Sequence, residues 1–121
     1  MSEIIPTFFH MLANIKLYHW QTYHYPRHVA SDNLHGELSS LIDTFIEVYM
    51  GKYNRPEFNN GFQISVDEYS TLSVNELLQK YTTFLQEKLP MYINKKDTEL
   101  LNIRDEMLTI LNKTLYLFTL E

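Results

Sequence analysis

The sequence predicts an all-α chain: one four-helix bundle with a longer connection between its second and third helices. Three observations predict it. Only 3 Gly and 4 Pro interrupt the 121 residues, so long stretches run without a breaker. Apolar residues in those stretches recur at helical spacing, and none alternates as a half-buried strand would. The links between the stretches are short, longer and short in that order, as in four helices packed around one core. With 45% apolar residues a chain of this length can bury one core and no more, so residues 1–121 read as a single domain.

The first helix is expected over about Glu3 to Tyr23, with Phe8, Leu12, Ile15 and His19 on one face and Pro6 tolerated in its first turns. The second runs from about Pro26, which suits a first helical position, to Tyr53. Its apolar stripe is Leu34, Leu38, Leu41, Phe45 and Val48, and Gly51 followed by Asn54-Arg55-Pro56 ends it. Residues 54–72 are a polar connection with room for a short helical turn near Ser65–Tyr69. The third helix opens on a capping box, Ser73 to Glu76, with Leu72 and Leu77 placed as a hydrophobic staple. It continues through Tyr81, Phe84 and Leu85 to about Leu89, where Pro90 ends or kinks it. The fourth starts near Asp97, read as its N-cap, and carries Leu100, Arg104, Met107, Leu108, Leu111, Leu115 and Phe118 to the C-terminus.

Composition narrows the chemistry. Cysteine is absent, which removes disulfides, thiolate metal sites and cysteine nucleophiles, so any metal must be held by His and carboxylates. The opening MSEIIPTFFHML has no basic n-region, and no run of about 18 apolar residues occurs, so neither a signal peptide nor a membrane span is expected. A cytoplasmic setting is the default. The net charge is −5 and the only adjacent basic pair is Lys95-Lys96, which argues against nucleic-acid binding by a clustered basic face. Few Ala and many Asn, Lys and Tyr suit an AT-rich genome, such as that of a virus or phage, in which case the protein would sit within a virion.

The informative residues lie on the second helix. His28 and Asp32 are spaced i, i+4, and so are Asp43 and Glu47, so each pair can chelate one ion. At about 100° per residue, setting His28 at zero puts Asp32 near 40°, Asp43 near 60° and Glu47 near 100°, well away from an apolar stripe centred near 240°. These groups face out of the bundle. Asp32 and Asp43 are roughly 16 Å apart along the axis, too far to share a metal within one chain. A two-fold axis would solve this. The midpoint of Asp32 and Asp43 is 37.5, and so is that of His28 and Glu47. Two copies packed antiparallel about that point bring His28 to the Glu47 of the other copy and Asp32 to its Asp43. Gly36, Ser39 and Ser40 at the crossing are small enough to let backbones approach.

His19, near the end of the first helix, could supply a fifth ligand, with the redox-capable ring of Trp20 beside it. Blander readings compete. A single His–acid pair at i, i+4 is commonly a solvated helix face, His19 alone reads as a hydrogen-bonded core histidine, and His35 reads as a polar interface contact. His10 and His24 have no partner identifiable from sequence. A metal-free helical dimer, structural or virion-associated and without catalysis, is the main alternative. A di-iron site within one chain would need Glu-x-x-His on two helices, and the sequence has none.

His19-Trp20, then His28-Val29-Ala30-Ser31-Asp32, ten residues, then Asp43-Thr44-Phe45-Ile46-Glu47, resembles the iron-site signature of the Dps mini-ferritins. In that family a His-Trp pair precedes H-x3-D-x10-D-x3-E on the second helix. The resemblance covers about residues 10–53 well and Asp97–Leu101 loosely. It implies a ferritin-like fold and a site built from His19, His28 and Asp32 of one subunit with Asp43 and Glu47 of its two-fold mate. It also implies ferroxidase activity, in which ferrous iron is oxidised by hydrogen peroxide or oxygen beside Trp20, and ferric storage in a hollow twelve-subunit shell. The chain departs from the family in a shorter His19–His28 gap, a shorter middle connection and the lack of the basic tail that some members use on DNA. No nucleic-acid partner is therefore expected.

Overall fold

The computed structural model describes residues 3–120. Among them are four α-helices and no strand: α1 (Ile4–Gln21), α2 (Tyr25–Tyr53), α3 (Ser73–Thr83) and α4 (Thr98–Leu117). α1 and α2 lie within two residues of their expected bounds. Pro6 falls in the first turn of α1 and Pro26 in that of α2, where a missing N–H costs nothing. Asn54 ends α2 at φ 104 and ψ 166, a positive-φ extended conformation that residues other than Gly rarely adopt.

Contacts between helix ends fix the directions. The Arg27 guanidinium, at the start of α2, donates to the Tyr18 hydroxyl near the end of α1 and to the carbonyls of Thr71 and Phe118. α2 and α3 therefore begin at the end of the bundle where α1 and α4 finish. At the opposite end, Lys52 and Tyr53 of α2 meet Asp97 before α4, and Glu3 before α1 meets Lys88 and Tyr92. α2 and α3 are thus parallel, and residues 54–72 must carry the chain back along the whole bundle. They do so against α1: Phe62 packs on Phe9, Ser65 and Asp67 bond to Asn14, and Glu68 accepts a hydrogen bond from Gln21.

The core runs continuously through the four helices. Phe8 meets Phe45 and Phe84 edge-on, with ring centroids at 5.7 and 6.5 Å. Met11, Leu38, Leu85, Leu100, Met107 and Leu111 are fully buried around them. The stripes are turned slightly from those expected: Leu12, Leu41, Val48 and Arg104 are only half-buried, and Met11 and Ile42 take inward positions instead.

Several local expectations fail, some for a tertiary reason and some for a nearer one. No helical turn forms at Ser65–Tyr69. The Asn14 side chain holds that backbone instead, its amide donating to the Ser65 carbonyl at 3.0 Å and its oxygen accepting the Asp67 N–H at 2.9 Å. The Ser73–Glu76 capping box does not form either. The turn leading into α3 opens at Ser70, whose hydroxyl accepts the Ser73 N–H at 3.1 Å and whose carbonyl accepts the Val74 N–H. Leu72 consequently lies inside that turn, 80% exposed, and does not staple onto Leu77. Regular α-helix stops at Thr83 rather than near Leu89, followed by a wide π-turn over Phe84–Lys88 and a 3-10 turn over Leu89–Tyr92. The ring of Pro90 would collide with the carbonyl four residues earlier, and the wider turn accommodates it. α4 ends at Leu117, short of the C-terminus expected for it; Glu121 lies outside the described residues.

Asp97 stands at the N-cap of α4, yet its side chain makes no capping bond. Its carboxylate takes the Lys52 ammonium at 2.6 Å, the Tyr53 hydroxyl and the Asn94 N–H at 2.8 Å, and Lys52 also reaches Glu99 at 2.5 Å. Lys52, then Tyr53 and the Asn94 amide, hold the Asp97 carboxyl down to about 2. A carboxyl depressed in the folded chain contributes stability that is complete above its ordinary value of 3.8 and is lost as pH falls through about 2. Wild-type melting temperature is therefore expected to fall between about pH 4 and pH 2, and Asp97→Asn to flatten that fall. Equal slopes for the two proteins in an acid melting series would contradict the clasp.

Candidate functional site

Three residues separate α1 from α2, so the last turn of one faces the first turn of the other. His19 and His28 meet there in a reciprocal arrangement. The Nδ1 of His19 donates to the backbone carbonyl of His28 at 2.7 Å, and the Nδ1 of His28 donates to that of His19 at 2.9 Å. The rings stack at 3.9 Å, inclined by 19°. A carbonyl only accepts, so both protons sit on Nδ1, and in the neutral rings both Nε2 atoms keep a lone pair. Metal-binding histidines are commonly oriented by such bonds through their second nitrogen. Ser31 supports the pair, its hydroxyl 3.4 Å from His19 Nδ1 and donating to the His28 carbonyl.

Asp32, one turn after His28, turns towards the same place. Its Oδ1 lies 3.8 Å from His19 Nε2. The nine-residue spacing of the two histidines, short for the resemblance, still sets His19 beside Asp32. The same oxygen lies 3.4 Å from the Lys16 ammonium, which in turn stands 6.0 Å from the centre of the Trp20 ring. Trp20 itself is 68% exposed. His19 is buried, His28 and His35 are half-buried, and Asp32 is exposed. The His35 imidazole has its proton affinity lowered, by burial first and then by the charge of Lys16.

Asp43 and Glu47 stand apart from this group. Both are exposed on the outer face of α2, about three to four turns beyond Asp32. Among the described residues of one chain, no three His, Asp or Glu side chains gather closely enough to hold a metal ion. The five sequence candidates therefore resolve into His19 and Asp32 in proximity, with His28 stacked on the His19 ring, and a separate pair further along. His10, partnerless in sequence, pairs its Nδ1 with the buried Tyr81 hydroxyl at 2.9 Å, a contact inside the bundle.

Two features of this face are not explained by the chain itself. Gly36, midway along the 29-residue α2, is exposed, and a Cβ added there would meet nothing within 4 Å. A glycine in mid-helix costs about 1 kcal/mol relative to Ala, and nothing inside the monomer requires it. Beside Asp43 lies an apolar groove of about 290 Å³ between α1 and α2, lined by Ile5, Phe9, Leu12, Ile46 and Met50.

Lys16 was not evident as part of the site. Its position one turn before His19 and Trp20, at i, i+3 and i, i+4, is the signal that places it there. None of the four α-helices, nor the turns between them, is long and apolar enough to cross a membrane among the described residues. A family described as a family of unknown function, DUF5856, matches residues 19–118. No curated protein and no solved structure matches the chain.

Proposed function

The chain belongs to DUF5856, a family of unknown function, so its chemistry has to be read from its own residues, and we propose that it is a ferritin-like, Dps-like protein that binds and oxidises ferrous iron at a site completed by two copies. The observation that carries this proposal is the His19–His28 pair, locked through Nδ1 so that Nε2 stays a lone-pair donor, with Asp32 at its edge. Two imidazoles and a carboxylate suit ferrous iron, and further carboxylates favour the harder ferric product. Asp43 and Glu47 of a second copy, packed antiparallel on α2, would supply them.

The parallel α2 and α3 joined by a long crossover agree with a ferritin-like bundle. Gly36 and the apolar groove beside Asp43 support the pairing, since both gain a physical reason once a second helix lies across them. His19, His28 and Asp32 would hold the ion. Trp20, next to His19 in the chain, would be the redox-active ring beside the ion, and the oxidant would be hydrogen peroxide or oxygen. Assembly beyond the dimer, up to a twelve-subunit shell storing ferric iron, belongs to the same proposal, with no nucleic acid or membrane partner. The second reading, a metal-free structural dimer, is favoured by the absence of three gathered ligands among the described residues of one chain.

Two measurements separate these readings. Mass in solution should be that of a dimer or a multiple of it, and ferrous iron with the purified protein should consume peroxide much faster than free ferrous iron does. A dimer that leaves the rate of free ferrous iron unchanged supports the structural reading, and a monomer contradicts both. Gly36→Leu is expected to weaken self-association at least about tenfold, because two side chains then obstruct the crossing. Gly36→Ala tests the opposite case: on a free surface it would raise stability by about 1 kcal/mol and leave the mass unchanged. Sedimentation and thermal melting of the two variants distinguish these outcomes.

A further inference from the structure

Asp32 Oδ1 serves two neighbours at once. It faces His19 Nε2 at 3.8 Å and the Lys16 ammonium at 3.4 Å. A metal ion bridging that imidazole and that carboxylate would use the oxygen on which Lys16 rests. Lys16 is held there by more than one contact: its ammonium also lies 6.0 Å from the Trp20 ring centre, and its side chain is only 32% exposed. A cation of the protein's own therefore occupies the mouth of the proposed site.

We propose that Lys16 is a built-in competitor for the metal, an internal counter-cation that an incoming ion must displace from Asp32. The proposal rests on the metal reading above and adds to it a setting of affinity. Displacement loses an ion pair and brings two positive charges close together. Ions that gain a bond to imidazole, such as Fe2+ and Zn2+, can offset that loss. Hard ions such as Mg2+, which bind imidazole poorly, are held off. An exposed ion pair is weak, and the repulsion of a neighbouring ammonium adds to its loss, so the expected effect is about three- to tenfold in affinity.

The test is calorimetric titration with Zn2+, which undergoes no redox chemistry, read alongside the emission of Trp20, the only tryptophan in the chain. Lys16→Gln is expected to bind Zn2+ about three- to tenfold more tightly than wild type, while Lys16→Arg, which keeps the charge, stays within about twofold. Lys95→Gln, at the opposite end of the bundle, controls for net charge and should also stay within about twofold. Zn2+ should shift Trp20 emission in wild type, as the ammonium leaves the ring, and not in Lys16→Gln.

If Asp32→Asn abolishes Zn2+ binding but Lys16→Gln binds no more tightly than wild type, competition is overturned and the metal site stands. Weaker binding by Lys16→Gln also overturns it, assigning Lys16 to holding Asp32 in place. If wild type and Asp32→Asn bind alike, the metal reading fails and the competitor with it.

Discussion

Changing Asp43 and Glu47 together to Ala is expected to bring iron-dependent peroxide consumption down to that of free ferrous iron, a loss of about 100-fold or more. Removing even an outer partner of a metal ligand costs roughly 10–100-fold, and here two ligands go. What makes the result informative is that neither side chain does anything visible for the single chain. Both are exposed on the outer face of α2, and surface changes of that kind alter stability by about 0.5 kcal/mol or less. The variant should therefore melt like wild type and keep its circular dichroism. Activity that survives the double change would remove the pair from the site and leave His19, His28 and Asp32 without their complement.

Arg27 carries the second large effect, on folding rather than on iron. Its side chain is 7% exposed, and one guanidinium ties three elements together at the end of the bundle where α2 begins: the Tyr18 hydroxyl, the Thr71 carbonyl and the Phe118 carbonyl, at 2.9–3.1 Å. It also lies 4.6 Å from the Phe118 ring centre. Arg27→Met fills part of the space but leaves the buried Phe118 carbonyl, the part-buried Thr71 carbonyl and the Tyr18 hydroxyl short of a donor. Hydrogen bonds to a charged group contribute roughly 1.5–3 kcal/mol each, and part of that is recovered by water, so the loss is expected to be about 3 kcal/mol. Arg27→Lys should recover little of it, since one ammonium cannot reproduce the planar fork. Urea unfolding midpoints measure both variants. A loss under about 1 kcal/mol for Arg27→Met would mean that the crossover and α4 are held by packing alone.

The outer face of α2 was legible in the sequence because an unbroken helix turns spacing into direction. His28, Asp32, Asp43 and Glu47 could be placed by angle alone, and Asp32, Asp43 and Glu47 are exposed. The approach of His19 to Asp32 was not legible, because it depends on how three residues turn the chain between α1 and α2. Cap chemistry was legible only in part: Asp97 does stand at the N-cap of α4, while Ser73 does not cap α3. Ser73 and Asp97 are both residues that favour N-caps, but Ser70 lies close enough to open the first turn itself, and Lys52 and Tyr53, more than forty positions away, claim the Asp97 carboxylate. The path of residues 54–72 likewise follows Asn14, a buried polar side chain on α1 that periodicity reads only as a break in an apolar face. The Asp97 carboxylate and the path of residues 54–72 were not legible because their partners come from other helices, whereas at α3 a nearer serine took the capping role.

A mixing experiment bears most directly on the claim that two molecules build one iron site. One inactive variant lacks the first half-set, His28→Ala with Asp32→Asn, and another lacks the second, Asp43→Asn with Glu47→Gln. Unfolded together in equal amounts and refolded, they form hybrids in which one site receives every wild-type ligand and the other keeps only His19. Iron-dependent peroxide consumption should return to about a quarter of wild type, the share of intact sites in a random mixture of dimers. A mixture as inactive as its components, with hybrid dimers present by mass, would show that the ligands do not meet across the pair.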